Sequence, residues 1–197
     1  MNLQLGIVSS SRHPVRATVV GLVFGALLIV PHGGAAQKRV HGFIDPMPTA
    51  KLKQLFPRAG SFAPRGDEDP PRFTAYAVNS PGPPARPIGY AFWTLDVVPT
   101  ILGYDGHIHM LIGMDTAARL TGVIMDMNNE PYGEFSIDRP PFAAQFKGKS
   151  IRDPFVPGRD VDAISRATIS VRAAALTIRE SARIVAAAVL APGSAPR

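Results

Sequence analysis

The chain has 197 residues, of which 46% are hydrophobic and 18% charged, a composition typical of a folded domain and not of a disordered one. It contains no cysteine, which excludes disulfide bonds, thiolate-bound metals, iron–sulfur clusters and covalent haem of the Cys-x-x-Cys-His type. The formal net charge is +6, but no Lys/Arg run occurs, so we interpret the charge as favouring solubility and weak attraction to an anionic surface. Any redox chemistry must then use an organic cofactor or a histidine-bound metal.

Residues 1–36 have the pattern of a secretory signal peptide. They contain no acidic residue, two arginines precede an apolar run, and the small residues Gly34 and Ala36 stand where a signal peptidase reads. We expect cleavage before Gln37, which leaves residues 37–197 as a periplasmic domain for which nucleic acid is not the partner. An uncleaved membrane anchor is the alternative, although the apolar run is shorter than the roughly 20 residues of a transmembrane helix.

The mature chain alternates runs typical of strands and helices. Runs rich in β-branched and aromatic residues predict strands, and apolar residues at helical spacing predict helices. In chain order we predict an irregular lead-in over 37–69 with a short helix over 49–56, strands over 73–78, 88–94, 107–114 and 119–127, a short helix over 140–146 and a long one over 170–190. The turn over 115–118 joins two of these strands into a hairpin. This order predicts an α+β fold, a single domain in which an antiparallel β-meander is packed by the long C-terminal helix.

Hydroxyl and carboxylate side chains cluster directly before the long predicted helix. The cluster comprises Asp162, Ser165, Thr168 and Ser170. Because a helix N-terminus exposes unpaired N–H groups and the positive end of the helix dipole, this position suits a phosphate group. The alternative is that Ser and Thr serve only as helix caps, and local physics alone favours capping.

The same segment resembles the flavinylation motif of the FMN-binding domain family, Asp-x-x-[Ser/Thr]-Gly-Ala-[Thr/Ser]. Asp162, Ser165, Ala167 and Thr168 match this motif, and Arg166 stands where the family has glycine. In that family a separate flavin transferase joins FMN to the last hydroxyl through a phosphoester. The resemblance therefore implies covalent FMN at Thr168.

The resemblance extends over roughly residues 55–190 and is closest to the periplasmic N-terminal flavin domain of NosR/NirI-type proteins. A Gly-Tyr-x-Gly turn, a turn ending in arginine, a strand with a Thr-Gly pair and a Glu-Pro pair occur in the family's order. The matching residues are Gly103, Tyr104, Gly106, Asp115, Arg119, Thr121, Gly122, Glu130 and Pro131, and residues 145–151 also resemble the family segment before the motif.

This resemblance implies an electron-transfer flavoprotein that exchanges electrons with a membrane or periplasmic redox protein, in preference to an enzyme that converts a substrate. NosR-type proteins continue into membrane helices and cysteine-ligated clusters. This sequence has neither after the domain, so we expect a stand-alone flavin domain.

Arg166 is the main departure from the family pattern. Glycine serves where the backbone needs a positive φ or where a ligand approaches closely. An arginine there could be strained, could obstruct FMN or could bind its phosphate. If it obstructs FMN, the domain would be a flavin-free binding or assembly module for an exported redox enzyme.

Two further features carry weaker signals. His107 and His109 could bind a metal together, but no third ligand is indicated, and we interpret them as surface residues of the hairpin. Glu130 could contact the isoalloxazine ring or belong only to a turn with its neighbouring asparagines, and the composition favours the turn. No metal site is predicted, and the predicted cofactor site consists of Asp162, Ser165, Arg166, Ala167, Thr168 and Glu130.

Overall fold

Five antiparallel strands form one sheet whose strand order follows the chain order. The computed structural model describes residues 45–78 and 86–190, so the predicted signal peptide lies outside the described residues. The strands are β1 (Ala59–Ala63), β2 (Phe73–Ala77), β3 (Pro87–Trp93), β4 (His109–Asp115) and β5 (Leu120–Met127). Each strand pairs with its chain neighbour, which confirms the predicted meander and the hairpin between β4 and β5.

Within the described residues, four α-helices accompany the sheet: α1 (Thr49–Leu55), α2 (Thr94–Val97), α3 (Pro140–Ala144) and α4 (Thr168–Leu190). Gly133–Phe135 forms a short 3-10 helix. The α+β fold and the long C-terminal helix are therefore confirmed. The prediction of irregular structure over residues 37–69 is wrong at β1, whose residues pair with β2. These small residues show no alternating apolar pattern in the sequence, so the strand was not predicted. None of the helices in the described part of the chain is both long and apolar enough to span a bilayer.

The sheet is covered on both faces. Along β4, Met110, Ile112 and Met114 face the core formed with α4, whereas Leu111 faces a second core formed with α1. Successive strand residues point to opposite faces, so a strand covered on both sides buries every side chain. All residues from His109 to Met114 are accordingly buried.

Glycines on the α1 face allow that helix to approach the sheet closely. A Cβ atom on Gly89 would lie 2.6 Å from the carbonyl oxygen of Met114 and would overlap the Phe56 ring. A Cβ atom on Gly122 would lie 3.1 Å from Leu55 Cδ2. The side chains that end α1 therefore pack directly on the strand backbone.

Helix α4 lays its apolar stripe on the other face. The predicted stripe is buried, or half-buried at its last position: Val171, Ala175, Ile178, Ala182, Val185 and Val189. The helix begins at Thr168, two residues before the predicted start. This shift places the last residue of the motif inside the first helical turn.

Candidate functional site

The N-terminus of α4 opens on two adjoining clefts. They have volumes of about 290 and 370 Å³ and share Tyr132, Arg166 and Ala167 as lining residues. Ser165 lines the first cleft and Thr168 the second. Ligand-binding clefts of proteins start at about 300 Å³, so together these clefts can hold a small organic cofactor.

The motif segment forms a β-turn before the helix. The Ala167 N–H donates to the Ile164 carbonyl oxygen at 3.2 Å, and Arg166, the third residue of this turn, has a φ of +67°. A turn with positive φ only at its third residue is of type II, which favours glycine there. The family glycine thus has a conformational reason, and Arg166 adopts a left-handed conformation at a cost of about 1–2 kcal/mol.

The first turn of α4 leaves backbone donors free. The first helical hydrogen bond is made by the Val171 N–H to the Ala167 carbonyl oxygen at 2.9 Å. Within residues 45–78 and 86–190, the N–H groups of Thr168, Ile169 and Ser170 have no acceptor. Ala167 occupies the cap position and has no side-chain acceptor, so the capping alternative for the hydroxyl cluster is not what the structure shows. Free N–H groups at a helix N-terminus favour an anion.

Glu130 lies behind the cleft and connects three segments. Its side chain is 7% exposed, and its carboxylate accepts the N–H groups of Tyr104 at 3.0 Å and Asp105 at 3.1 Å, as well as the Ser170 hydroxyl. Its own N–H donates to Asn128 Oδ1 at 3.0 Å, which confirms the predicted turn. The link to α4 was missed, and its one sequence signal was the Glu-Pro pair of the resemblance.

Exposed apolar side chains surround the two clefts. Tyr104, Tyr132, Phe135 and Ile169 line them, and each is at least half exposed. Large apolar side chains that converge on one exposed site mark a binding surface. A phosphate-favouring helix end beside flat apolar side chains fits a flavin mononucleotide.

The other predicted site residues lie in the same segment. Ser165 and Asp162 are exposed, Ala167 is buried, and the Asp162 N–H donates to Gln145 Oε1 at 2.7 Å. Four of the six predicted residues line the clefts: Ser165, Arg166, Ala167 and Thr168. Asp162 lines neither cleft. Glu130 does not line them either, but its carboxylate accepts hydrogen bonds from Tyr104 and Ser170, which line the second cleft.

His109 contradicts its predicted place on the surface. The side chain is 3% exposed, stacks on Trp93 with ring centroids 4.5 Å apart, and places Nδ1 2.8 Å from Asp126 Oδ2. Burial lowers the pKa of His109, and the hydrogen bond to Asp126 opposes this shift. The prediction failed because both faces of β4 are covered. In the described ranges, no group of three or more His, Cys, Asp or Glu residues could hold a metal ion.

A protein-family model matches the part of the chain that forms the two clefts. No curated protein matches the chain. The matching family model is described as FMN-binding domain, and its span contains β4, β5, most of α4 and all six predicted site residues. Residues 103–182 of this chain thus match the FMN-binding domain family, and FMN is the cofactor that this match supports.

Proposed function

We propose that this protein is an exported electron-transfer flavoprotein with FMN joined covalently to Thr168, similar in role to the flavin domain of NosR/NirI-type proteins. One observation carries the proposal: the exposed Thr168 side chain lines a cleft at the start of α4, beside three backbone N–H groups that have no acceptor among the described residues. A phosphate esterified to this hydroxyl would meet the donors that the helix leaves free.

The residues around the cleft divide into two roles. The N–H groups of the first helical turn would hold the phosphate, and the exposed Tyr104, Tyr132 and Phe135 side chains would pack on the isoalloxazine ring. Glu130 would keep the turn before β4 and the first turn of α4 in fixed relation. When bound, FMN supplies the redox chemistry, and the protein supplies position and tuning.

Attachment would require an activated flavin phosphate and a transferase. A bond forms between Thr168 Oγ and phosphorus, the hydroxyl loses its proton, and the bond from phosphorus to the activating group of the donor breaks. Nothing is oxidised or reduced in this step. The exposure of Thr168 supports access by a second protein.

Export rests on the sequence of residues 1–36. We propose cleavage before Gln37 and electron exchange with a membrane or periplasmic redox protein. N-terminal sequencing of native material should give Gln37 as the first residue. Recovery of intact Met1 in the membrane fraction would instead indicate an anchor.

A second candidate function has one observation in its favour. The Arg166 side chain lines both clefts, and it stands where the family has glycine. If it fills the space that FMN needs, the domain would be a flavin-free binding or assembly module for an exported redox enzyme. The same arginine could bind the phosphate instead, because a guanidinium matches phosphate oxygens.

Intact-mass measurement separates these possibilities. The wild type and the variants Thr168→Ala, Thr168→Ser, Ser165→Ala and Arg166→Gly should be co-expressed with and without a flavin transferase. We expect an added FMN mass on the wild type and Ser165→Ala, a partial addition on Thr168→Ser, and none on Thr168→Ala. Ser165→Ala is the matched control, since Ser165 carries the other exposed serine or threonine hydroxyl that lines the two clefts.

Two outcomes would decide against parts of the proposal. Flavin lost from Ser165→Ala and retained by Thr168→Ala would move the attachment to Ser165. No flavin on either the wild type or Arg166→Gly would favour the flavin-free module. Higher occupancy in Arg166→Gly would identify the arginine as an obstruction, and lower occupancy would identify it as a phosphate ligand.

A further inference from the structure

A third cleft lies near the opposite end of α4. It has a volume of about 550 Å³ and is formed where the C-terminal half of α4 meets the turn before β5 and the segment around Ile151. Arg183, which lines it, lies about 22 Å along the helix axis from Thr168 at the usual rise of 1.5 Å per residue. This cleft is therefore separate from the flavin cleft.

Three arginines line this cleft, and no acidic residue is among its described lining residues. The arginines are Arg119, Arg152 and Arg183. None of the three forms a salt bridge within the described part of the chain. Asp115 and Asp153 accept backbone N–H groups of the neighbouring segments. Like charges gathered in one cleft repel each other, and a bound anion would remove that repulsion.

Backbone carbonyl groups hold two of these guanidinium groups in place. Arg183 Nε and Nη2 donate to the carbonyl oxygens of Ile151 at 2.9 Å and Asp153 at 3.2 Å. Arg119 Nη1 donates to the Gly148 carbonyl oxygen at 3.0 Å. A carbonyl group orients a guanidinium without neutralising it, and each guanidinium has five N–H donors. Most donors of the two side chains are therefore left for a ligand.

Apart from Ser150, the remaining lining of the cleft is apolar. Ala186, Ala187 and Leu190 of α4 form an apolar wall together with Ile151. An inorganic ion would leave this wall uncovered. A ligand with an anionic end and an apolar part would cover it and gain the free energy of apolar burial.

We propose that this arginine cleft binds an anionic, phosphate-bearing amphiphile. The phosphate lies against the guanidinium groups, which match its oxygens in bidentate geometry, and the apolar part lies on the α4 wall. Such a molecule comes either from a membrane, as an anionic phospholipid, or from solution. The proposal does not depend on FMN at Thr168.

Calorimetric titration of the flavin-free full chain tests the proposal. The probe is dihexanoyl phosphatidylglycerol, kept below its micellar concentration. Two controls dissect recognition: dihexanoyl phosphatidylcholine has no net charge, and glycerol phosphate has no acyl chains. We expect binding of one probe molecule per chain, and a Kd at least about tenfold higher for each control, the effect of losing one charge-assisted hydrogen bond or a few buried methylene groups.

Variants locate the site. Arg152→Gln and Arg119→Gln should each raise the Kd for the probe about tenfold. Arg172→Gln, which removes an exposed arginine from the other end of the same helix, should leave the Kd unchanged. Circular dichroism shows whether each variant is folded, and the two cleft arginines provide independent tests.

Vesicles identify the source of the ligand. Co-sedimentation with phosphatidylglycerol vesicles, lost in Arg152→Gln, would indicate a membrane lipid. Binding of the monomeric probe without co-sedimentation would indicate a soluble ligand. Three results would overturn the proposal. These are equal affinity for the probe and both controls, no heat of binding at millimolar probe, and unchanged affinity for the probe in both cleft variants.

Discussion

Arg166 allows a direct measurement of the backbone strain that the motif turn contains. Its φ of +67° is left-handed, its side chain is exposed, and it forms no salt bridge within the described residues. Arg166→Gly removes the side chain and relieves the strain. Arg166→Ala removes the same charge and retains the strain. The difference in unfolding free energy between the two variants therefore measures only the backbone contribution at position 166.

The magnitude follows from two opposing contributions. A residue with a Cβ atom in the left-handed region costs about 1–2 kcal/mol. Glycine avoids this strain, but it loses more conformational freedom on folding, which offsets the gain in stability by roughly 0.5–1 kcal/mol. We therefore expect Arg166→Gly to be more stable than Arg166→Ala by about 0.5–1 kcal/mol. Arg166→Ala itself should lie within about 0.5 kcal/mol of the wild type, as surface substitutions do.

Urea unfolding of the flavin-free protein, followed by circular dichroism, measures these differences. Arg159→Gly is the matched control, since Arg159 is an exposed arginine without a positive φ. Its free energy of unfolding should be about 0.5–1 kcal/mol below that of Arg159→Ala, because only the entropic cost of glycine applies at this position. If Arg166→Gly is no more stable than Arg166→Ala, the left-handed turn and the explanation of the family glycine are both wrong.

Two other features give predictions of stability. Gly89→Ala should destabilise the fold by about 1–3 kcal/mol, because the added Cβ atom would overlap the Phe56 ring and the Met114 carbonyl oxygen. Gly122→Ala should cost less, because its Cβ atom would approach only Leu55 Cδ2 at the end of a side chain. Thermal unfolding compares the two variants, and equal losses of stability would refute close α1 packing. His109 has a lowered folded pKa, so below its ordinary value of about 6.5 the unfolded chain takes up a proton while the folded chain does not. The free energy of unfolding should therefore fall from about pH 6.5 down to the folded pKa, by at most about 1.4 kcal/mol per pH unit. His109→Asn, which cannot titrate, should lack this component in urea unfolding at several pH values, and parallel pH profiles would contradict the assignment.

The periodic parts of the fold were predictable from the sequence. The hairpin of β4 and β5 has two apolar runs and a short turn, and α4 has a stripe at helical spacing. The α4 stripe reflects burial on one side of the helix, and the continuous apolar run of β4 reflects burial on both faces of the sheet. The cluster at the start of α4 was likewise located, because several hydroxyl residues lie near the predicted helix N-terminus.

The remainder depends on contacts that no local pattern reports. β1 contains small residues and becomes a strand through pairing with β2. His109 looks like a surface residue until α1 and Trp93 cover the second face of the sheet. Glu130 contacts residues 25 and 40 positions away, Asp105 and Ser170, so its role emerges only in the folded chain. Whether the six predicted residues bind FMN stays a prediction.

The backbone amides of the buried strand β4 and those of the first turn of α4 should differ greatly in their rates of hydrogen exchange with solvent. Every residue of β4 from His109 to Met114 is buried and the strand is paired on both edges, so its amide hydrogens should exchange with deuterium only when the whole domain unfolds. The amides of Thr168, Ile169 and Ser170 have no acceptors within the described residues and should exchange at rates typical of loops. A phosphate that binds there would slow those three amides selectively, and the β4 amides would provide the internal reference for global stability.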